Sequence, residues 1–295
     1  MTRCQSHFCR SRTAFGFALF CFVAFNTSAG QVRGNGNGGG GGNGGGGTGW
    51  IEQFNDSREG IVSRGWRIEH TGSPESQWGV PGVGVASKIF DQTNVEIFPD
   101  EGVLRLRLSI TPDLHSSGGL VYTAAKYGYG TYEWCARMSS TSATPAGPGD
   151  PLSGGVSAGF IYVNNSQTEV DFEFAHATDS LGRLDAWLYM ANWRNLVSTS
   201  SSDRNADPPV PYHTGYQIFK FVWTRNYIHY YVNGSLLRIH RQNIPRVSAH
   251  VMANHWGTNS DGFGGPAAPG VRYFYVDWVR YTPPGGSAAA IPCGP

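Results

Sequence analysis

The segment Thr168-Glu169-Val170-Asp171-Phe172-Glu173-Phe174 alternates three carboxylates with three apolar side chains. In a strand this pattern sends Glu169, Asp171 and Glu173 to one face and Val170, Phe172 and Phe174 to the other. Charged residues make up only 15% of the chain, so three like charges in a row on one face are costly unless something uses them. A face that needed only solubility would mix signs or carry Thr and Ser. Glu169 and Glu173 stand four residues apart, so their Cα atoms lie about 13 Å apart at roughly 3.3 Å per residue. On a sheet curved concave toward that face the two carboxyls lean close to the roughly 5–5.5 Å separation of retaining glycosidases. Asp171 between them can hold a proton or a hydrogen bond, keeping one Glu protonated while the other is ionised. Two plainer alternatives are an acidic strip that binds calcium and a merely solvated face. Calcium sites draw their ligands from loops at irregular spacing, unlike this regular alternation.

A strand of this kind needs a sheet around it, and the flanking sequence supplies one. Val103-Leu104-Arg105-Leu106-Arg107-Leu108 alternates apolar and charged residues, the period of a half-buried strand. Tyr216 to Trp223 and Tyr227 to Val232 are rich in β-branched and aromatic residues, and the second runs into Asn233-Gly234 and then Ser235 to Ile239. Asn-Gly between alternating apolar runs marks a two-residue hairpin, because its turn needs positive φ twice. Arg272 to Tyr281 reads as a last strand stopped by Pro283-Pro284. No long stretch repeats at 3.6 residues. Short strands separated by Gly and Pro turns make the expected fold all-β, an antiparallel sandwich. The chain has 295 residues, two domains' worth on average, yet all-β folds reach roughly 200–250 residues as one domain.

Asp185 to Trp193 puts Asp185, Trp187, Tyr189 and Trp193 on one face of another strand. Such an aromatic row suits a glycan groove. It is equally what packing between two sheets would look like.

The first fifty residues differ from the rest. Arg3, Arg10 and Arg12 precede the apolar run Ala14 to Phe25 and the small residues Thr27-Ser28-Ala29, the order of a secretory signal peptide. The run is about a dozen residues, whereas a membrane span needs roughly 20; an uncleaved anchor is the alternative. Residues 1–29 are thus expected to be a signal, 30–49 a flexible Gly/Asn-rich linker, 50–283 the folded domain and 284–295 a tail. Removing the signal leaves Cys135 and Cys293. In an exported protein that pair forms either one disulfide, pinning the tail onto the sheet, or two separate thiols. The absence of CxxC and HExxH motifs argues against a catalytic transition metal. Lys and Arg number 22 against 21 Asp and Glu, a balance that argues against a nucleic-acid partner.

Several ordered segments resemble glycoside hydrolase family 16, the concanavalin-A-like jelly-roll β-glucanases and transglycosylases. Tyr127-Gly128-Tyr129-Gly130-Thr131-Tyr132-Glu133 resembles the family's Y-G-x-[FY]-E strand, and Glu169 to Glu173 its E-x-D-x-E strand without a bulge. Tyr212-His213-Thr214-Gly215-Tyr216 with Trp223-Thr224, then Tyr231-Val232-Asn233-Gly234, Asn254-His255-Trp256-Gly257 and Tyr275 to Arg280, follow in the family's order. The resemblance covers about Asp91 to Tyr281. It implies a β-jelly-roll of two curved antiparallel sheets, with Glu169 as nucleophile, Glu173 as acid and base and Asp171 as helper. It further implies that Glu133 binds sugar hydroxyls, that Trp256 is either an aromatic platform at the cleft or a core residue, and that Asp277 is either a ligand of a structural calcium or a solvated carboxylate. No cofactor is expected for catalysis.

Departures from the family pattern sit beside these positions. Cys135 stands where many relatives carry Arg; either Arg137, two residues on and on the same face, substitutes, or that subsite differs. Ala175-His176 replaces L-G after the acidic strand, with His176 either a loop residue or an altered subsite. The Ser/Pro/Gly-rich stretch Ser139 to Gly154 is expected to loop over one end of the cleft. The resulting expectation is a secreted, monomeric, endo-acting β-glucan hydrolase that uses Trp187 and Tyr189 in its groove and has neither nucleic acid nor membrane as partner. Mixed-linkage β-1,3-1,4-glucan is the first substrate, because the unbulged strand resembles that branch and a near-neutral chain suits a neutral polymer. A transglycosylase and a non-catalytic lectin of the same fold are the alternatives.

Overall fold

A computed structural model describes residues 49–71, 90–163, 166–178, 184–204, 212–260 and 263–295. The expected signal peptide and nearly all of the linker lie outside the described residues.

Two antiparallel sheets stack face to face. One has seven strands in the order Val197–Arg204, Leu184–Arg194, Thr168–Thr178, Gly155–Val163, His250–Gly257, Gly119–Thr123 and Trp66–Ile68. The other has nine strands, its main path running Ser235–His240, Ile228–Val232, Gln217–Trp223, Gly130–Ser140, Gly270–Thr282, Val103–Ile110 and Val95–Phe98. Strands adjacent in one sheet are often distant in sequence, as Gly130–Ser140 is from Gly270–Thr282. The chain therefore passes repeatedly between layers, which is the jelly-roll sandwich expected from the sequence.

The alternations read from the sequence survive as burial. Val103–Ile110 and Gln217–Trp223 each bury every second residue. Asn233 and Gly234 take φ of 48° and 81°, closing a two-residue hairpin in which Val232 pairs with Ser235. A short helix, Arg58–Ser63, was not anticipated; Ser57 caps it by accepting the Gly60 N–H at 3.1 Å.

The core between the layers is aromatic. Phe172 meets Tyr230 edge to face at 5.3 Å and lies 5.7 Å from Phe219, joining the acidic strand to the opposite sheet. Gly159 lies so close to the Trp134 indole that a Cβ there would come within 2.8 Å of the ring. The indole donates at 3.2 Å to the carbonyl of Met252, in the same sheet as Gly159.

The outer face of the nine-stranded sheet is closed by the chain itself. A disulfide joins Cys135 to Cys293. Trp278 donates its indole N–H to the Pro292 carbonyl at 2.8 Å, Arg280 reaches the Ala289 carbonyl at 2.6 Å, and the Gly294 N–H reaches Asp277 at 2.7 Å. The first part of the loop after Ser140 lies on this face too, where Arg137 donates to the carbonyls of Thr144 and Gly147 and Tyr275 to that of Ser142. Its end, Ser153 and Gly154, instead bonds to the carbonyls of Pro266 and Gly264, in the turn that carries Phe263.

The bridge spans 158 residues of sequence, so removing it frees a long loop in the unfolded chain. Cys135→Ala/Cys293→Ala is expected to lose about 2–4 kcal/mol of stability, measured by urea unfolding. Activity at the opposite face should survive at permissive temperature; loss of activity without loss of stability would contradict this placement.

Candidate active site

The Thr168–Thr178 strand pairs without interruption to Leu184–Arg194 on one side and Gly155–Val163 on the other. Val170, Phe172 and Phe174 are wholly buried between the sheets. Glu169, Asp171 and Glu173 therefore project from the outer face of the seven-stranded sheet, and no bulge disturbs their spacing.

The register arranges the neighbours on this face as rows crossing the strands. Trp193, Glu169, Tyr162 and His250 form one row; Ala191, Asp171, Phe160 and Met252 the next. Tyr189, Glu173, Ala158 and Asn254 follow, and then Trp187, Ala175, Val156 and Trp256. Adjacent strands lie about 4.8 Å apart, so each carboxyl has a neighbour on both sides. Phe263, from the loop after the His250–Gly257 strand, packs 4.8 Å from the Tyr189 ring and 6.0 Å from that of Trp256. Trp187, Tyr189 and Trp256 thus share the carboxylate face.

Burial controls the electrostatics. Asp171 is only 2% exposed and takes a hydrogen bond from the Trp193 side chain, while its Oδ2 is buried without a partner. Desolvation raises its pKa well above the ordinary value, and the charges of Glu169 and Glu173 raise it further. Glu173 is pushed up to about 8, first by burial and then by the charge of Glu169. Burial also raises Glu169, to about 7, against the lowering effect of a hydrogen bond from the Ser166 hydroxyl. Three carboxyls so close titrate as a set. The arrangement keeps protons on the site at neutral pH and favours Glu169 as the first to ionise. Burial and the charge of Glu173 likewise raise Tyr189, to about 12.

Other expected site residues fall elsewhere. Glu133 and Arg137 lie on the outer face of the nine-stranded sheet, opposite the carboxylates, because Tyr132, Trp134 and Ala136 take the core positions of their strand. Glu133 forms an ion pair with Arg280 at 2.7 Å. Arg137 is enclosed by its loop, with its guanidinium 4.6 Å from the Tyr275 ring. Neither reaches the acidic strand, which corrects the expected sugar-binding roles. Asp277 lies on the same outer face, where its carboxylate accepts the Gly294 N–H at 2.7 Å beside the disulfide. His176 is a strand residue pointing inward, with its ring 4.8 Å from that of Phe174 and its Nε2 3.4 Å from His213 Nδ1.

Sequence reasoning did not single out Phe160, Tyr162, Phe263 or Ser166. The first two stand at i and i+2 of their strand, a period-2 signal hidden because apolar and small residues occupy both faces of Val156 to Val163. Phe263 and Ser166 come from turns, where no periodicity applies.

Residues 86–280 match the family model for glycosyl hydrolases family 16, and the chain belongs to that family. It is similar to the β-glucanase of Brevibacillus brevis, 28% identical over 225 residues that cover 71% of this chain and 78% of the relative. The endo-1,3-1,4-β-glycanase ExoK of Rhizobium meliloti (strain 1021) is 26% identical over 238 residues, 78% of this chain and 76% of the relative. In fold, the chain resembles the β-glucanase of Bacillus licheniformis, with a TM-score of 0.61 and 23% identity over 80% of this chain and 98% of that one. The chain is thus a glycoside hydrolase.

The raised carboxyls set the pH dependence of stability. A carboxyl whose folded pKa exceeds its unfolded value contributes fully below the unfolded value, about 4.5 for Glu, and loses that contribution as the pH climbs through the folded one. Glu173→Gln removes a charge that otherwise must form inside the site. The variant should match the parent near pH 4, gain on it progressively between about pH 4.5 and 8, and hold that advantage above. Guanidinium unfolding across that range measures the difference, which should widen with pH.

Proposed function

We propose that the protein is a secreted, endo-acting β-glucan hydrolase that works with retention of configuration. The observation that carries this reading is the unbroken strand register, which lines up Glu169, Asp171 and Glu173 on one face between flanking aromatic residues.

Glu169, the first of the three to ionise, attacks the anomeric carbon and forms a covalent glycosyl-enzyme. Glu173, protonated at neutral pH, gives its proton to the leaving oxygen and then takes one from the water that releases the sugar. Asp171, deeply buried, keeps its proton and prevents three negative charges from facing one another as the nucleophile's charge comes and goes. Trp193 and Tyr162 flank Glu169, and Tyr189 flanks Glu173; aromatic faces of this kind receive the apolar faces of sugar rings. Trp187 and Trp256 extend that surface one row further.

A neutral polymer suits this surface, since none of the residues in the four rows is Lys or Arg and an acidic strand repels sulfated chains. The β-glucanase and endo-1,3-1,4-β-glycanase names of the relatives and the unbulged strand support mixed-linkage β-1,3-1,4-glucan as the first substrate. Secretion is supported by the signal-like N-terminus; among the described residues no helix is long and apolar enough to cross a membrane.

Reducing ends released from lichenan, laminarin, xyloglucan, cellulose, agarose and carrageenan test the substrate, with lichenan expected to be cut fastest. NMR of the anomeric protons should show the β-anomer first, and an α-anomer first would exclude retention. Glu169→Gln should lose turnover by roughly 10³-fold or more while still binding lichenan. Binding without hydrolysis by the parent protein would mark a lectin. Longer products on adding an oligosaccharide acceptor would mark a transglycosylase.

A further inference from the structure

Ser166 stands in the turn between the Gly155–Val163 and Thr168–Thr178 strands, three residues before Glu169. Its φ is 54°, a left-handed conformation that non-glycine residues seldom adopt. The residue is buried at 3% exposure, and its hydroxyl donates to Glu169 Oε2. A second turn clamps its backbone: the Leu196 N–H donates to the Ser166 carbonyl at 3.3 Å, and the Asn195 N–H to that of Gln167 at 3.4 Å. Asn195 and Leu196 themselves sit at φ of 51° and 68°, and a bulky leucine there is a strained residue. Left-handed residues from two hairpins thus meet beside one carboxyl, and strain of this kind persists only where the surrounding structure holds it.

Resting on the reading of Glu169 as nucleophile, we propose that Ser166 is a positioning residue: the interlocked turns hold its hydroxyl against Glu169, aiming that carboxyl and making it the ionised member of the three. A hydroxyl that donates to a carboxylate stabilises the charged form, and such charge-assisted bonds are roughly twice as strong as neutral ones. Of the groups around Glu169, the Ser166 hydroxyl is the one whose hydrogen bond lowers its pKa. Asp171 and Glu173 on its own strand oppose its ionisation. Trp193 on one side does not titrate and gives its hydrogen bond to Asp171. On the other side stand Tyr162 and, beyond it, His250, whose Nδ1 is 2.6 Å from the Thr123 carbonyl. The direction agrees with the electrostatics, in which Ser166 lowers Glu169 against burial.

Two variants separate the hydroxyl from the turn. Ser166→Ala removes the hydroxyl and leaves the backbone strained; Ser166→Gly removes it and relaxes a φ of 54°. The acidic limb of the kcat/KM profile reports the free enzyme's nucleophile. Both variants should move it upward by about one pH unit, a tenfold loss below the limb, with Ser166→Gly at least as stable to heat as the parent. Carboxyl ¹³C titration of the full chain, with Glu169 assigned through Glu169→Gln, should show the same upward shift without any substrate. An unshifted limb and titration in both variants, or recovery of the parent profile in Ser166→Gly alone, would overturn the proposal, the second outcome assigning Ser166 to turn geometry. If the parent protein cleaves no polymer, it is the assignment of Glu169 as nucleophile that fails, and the ¹³C titration still decides whether Ser166 controls that carboxyl.

Discussion

Burial of Val170, Phe172 and Phe174 in the core between the sheets, with Phe172 against Phe219, Phe221 and Tyr230 of the facing sheet, is the constraint on which the site depends. Successive side chains of a strand point to opposite faces, and a one-residue slip would exchange every inward position for an outward one. Three large apolar side chains in the core leave the intervening carboxyls only the outer face. Burying each aromatic side chain is worth about 1.5–3 kcal/mol, whereas a slip would push three carboxyls into that aromatic core, at several kcal/mol per charge. The register that holds the fold together is therefore the register that turns the acidic row to the outer face.

The placement has an electrostatic cost that the site turns to use. Carboxyls on alternate residues of one strand cannot all ionise in a poorly solvated setting. Burial raises all three; neighbouring charge raises Asp171 and Glu173 further, whereas Glu169 has the Ser166 hydroxyl to stabilise its anion. Small differences in burial and hydrogen bonding thereby give three chemically similar groups different protonation states. The acid and nucleophile roles proposed for Glu173 and Glu169 need such a division.

The strands were legible wherever period and composition coincide. The acidic strand, the Asn233-Gly234 hairpin and the alternating Val103–Ile110 strand could all be read locally. Trp187 and Tyr189 could be placed on one face of their strand, but not assigned to the outside or the inside of the sandwich. That choice is made by Leu188 and Met190, which are fully buried, and it is propagated by pairing Tyr189 with Glu173. The rows that bring Tyr162, Asn254 and Trp256 to the same face join strands about ninety residues apart in sequence, and no local pattern encodes such pairing. Ser166 was invisible for another reason: its role rests on a backbone conformation within a turn, which hydrophobic periodicity does not report.

Parity also explains where the motif reading went astray. Glu133 and Arg137 share a face, as their spacing required, but that face belongs to the other sheet. Trp134 lies in the core against Gly159 and donates to Met252 across the layers, so its strand is anchored by its even-numbered residues and turns Glu133, Cys135 and Arg137 away from the cleft. What gathers there is closure. Glu133 pairs with Arg280, Cys135 ties down Cys293, and Arg137 receives the following loop. The same alternation that makes one outer face acidic and aromatic makes the other a seat for the tail. The two outer faces consequently carry different constraints: disturbing the tail's contacts acts on stability at any pH, whereas disturbing the acidic strand acts through the protonation of its carboxyls.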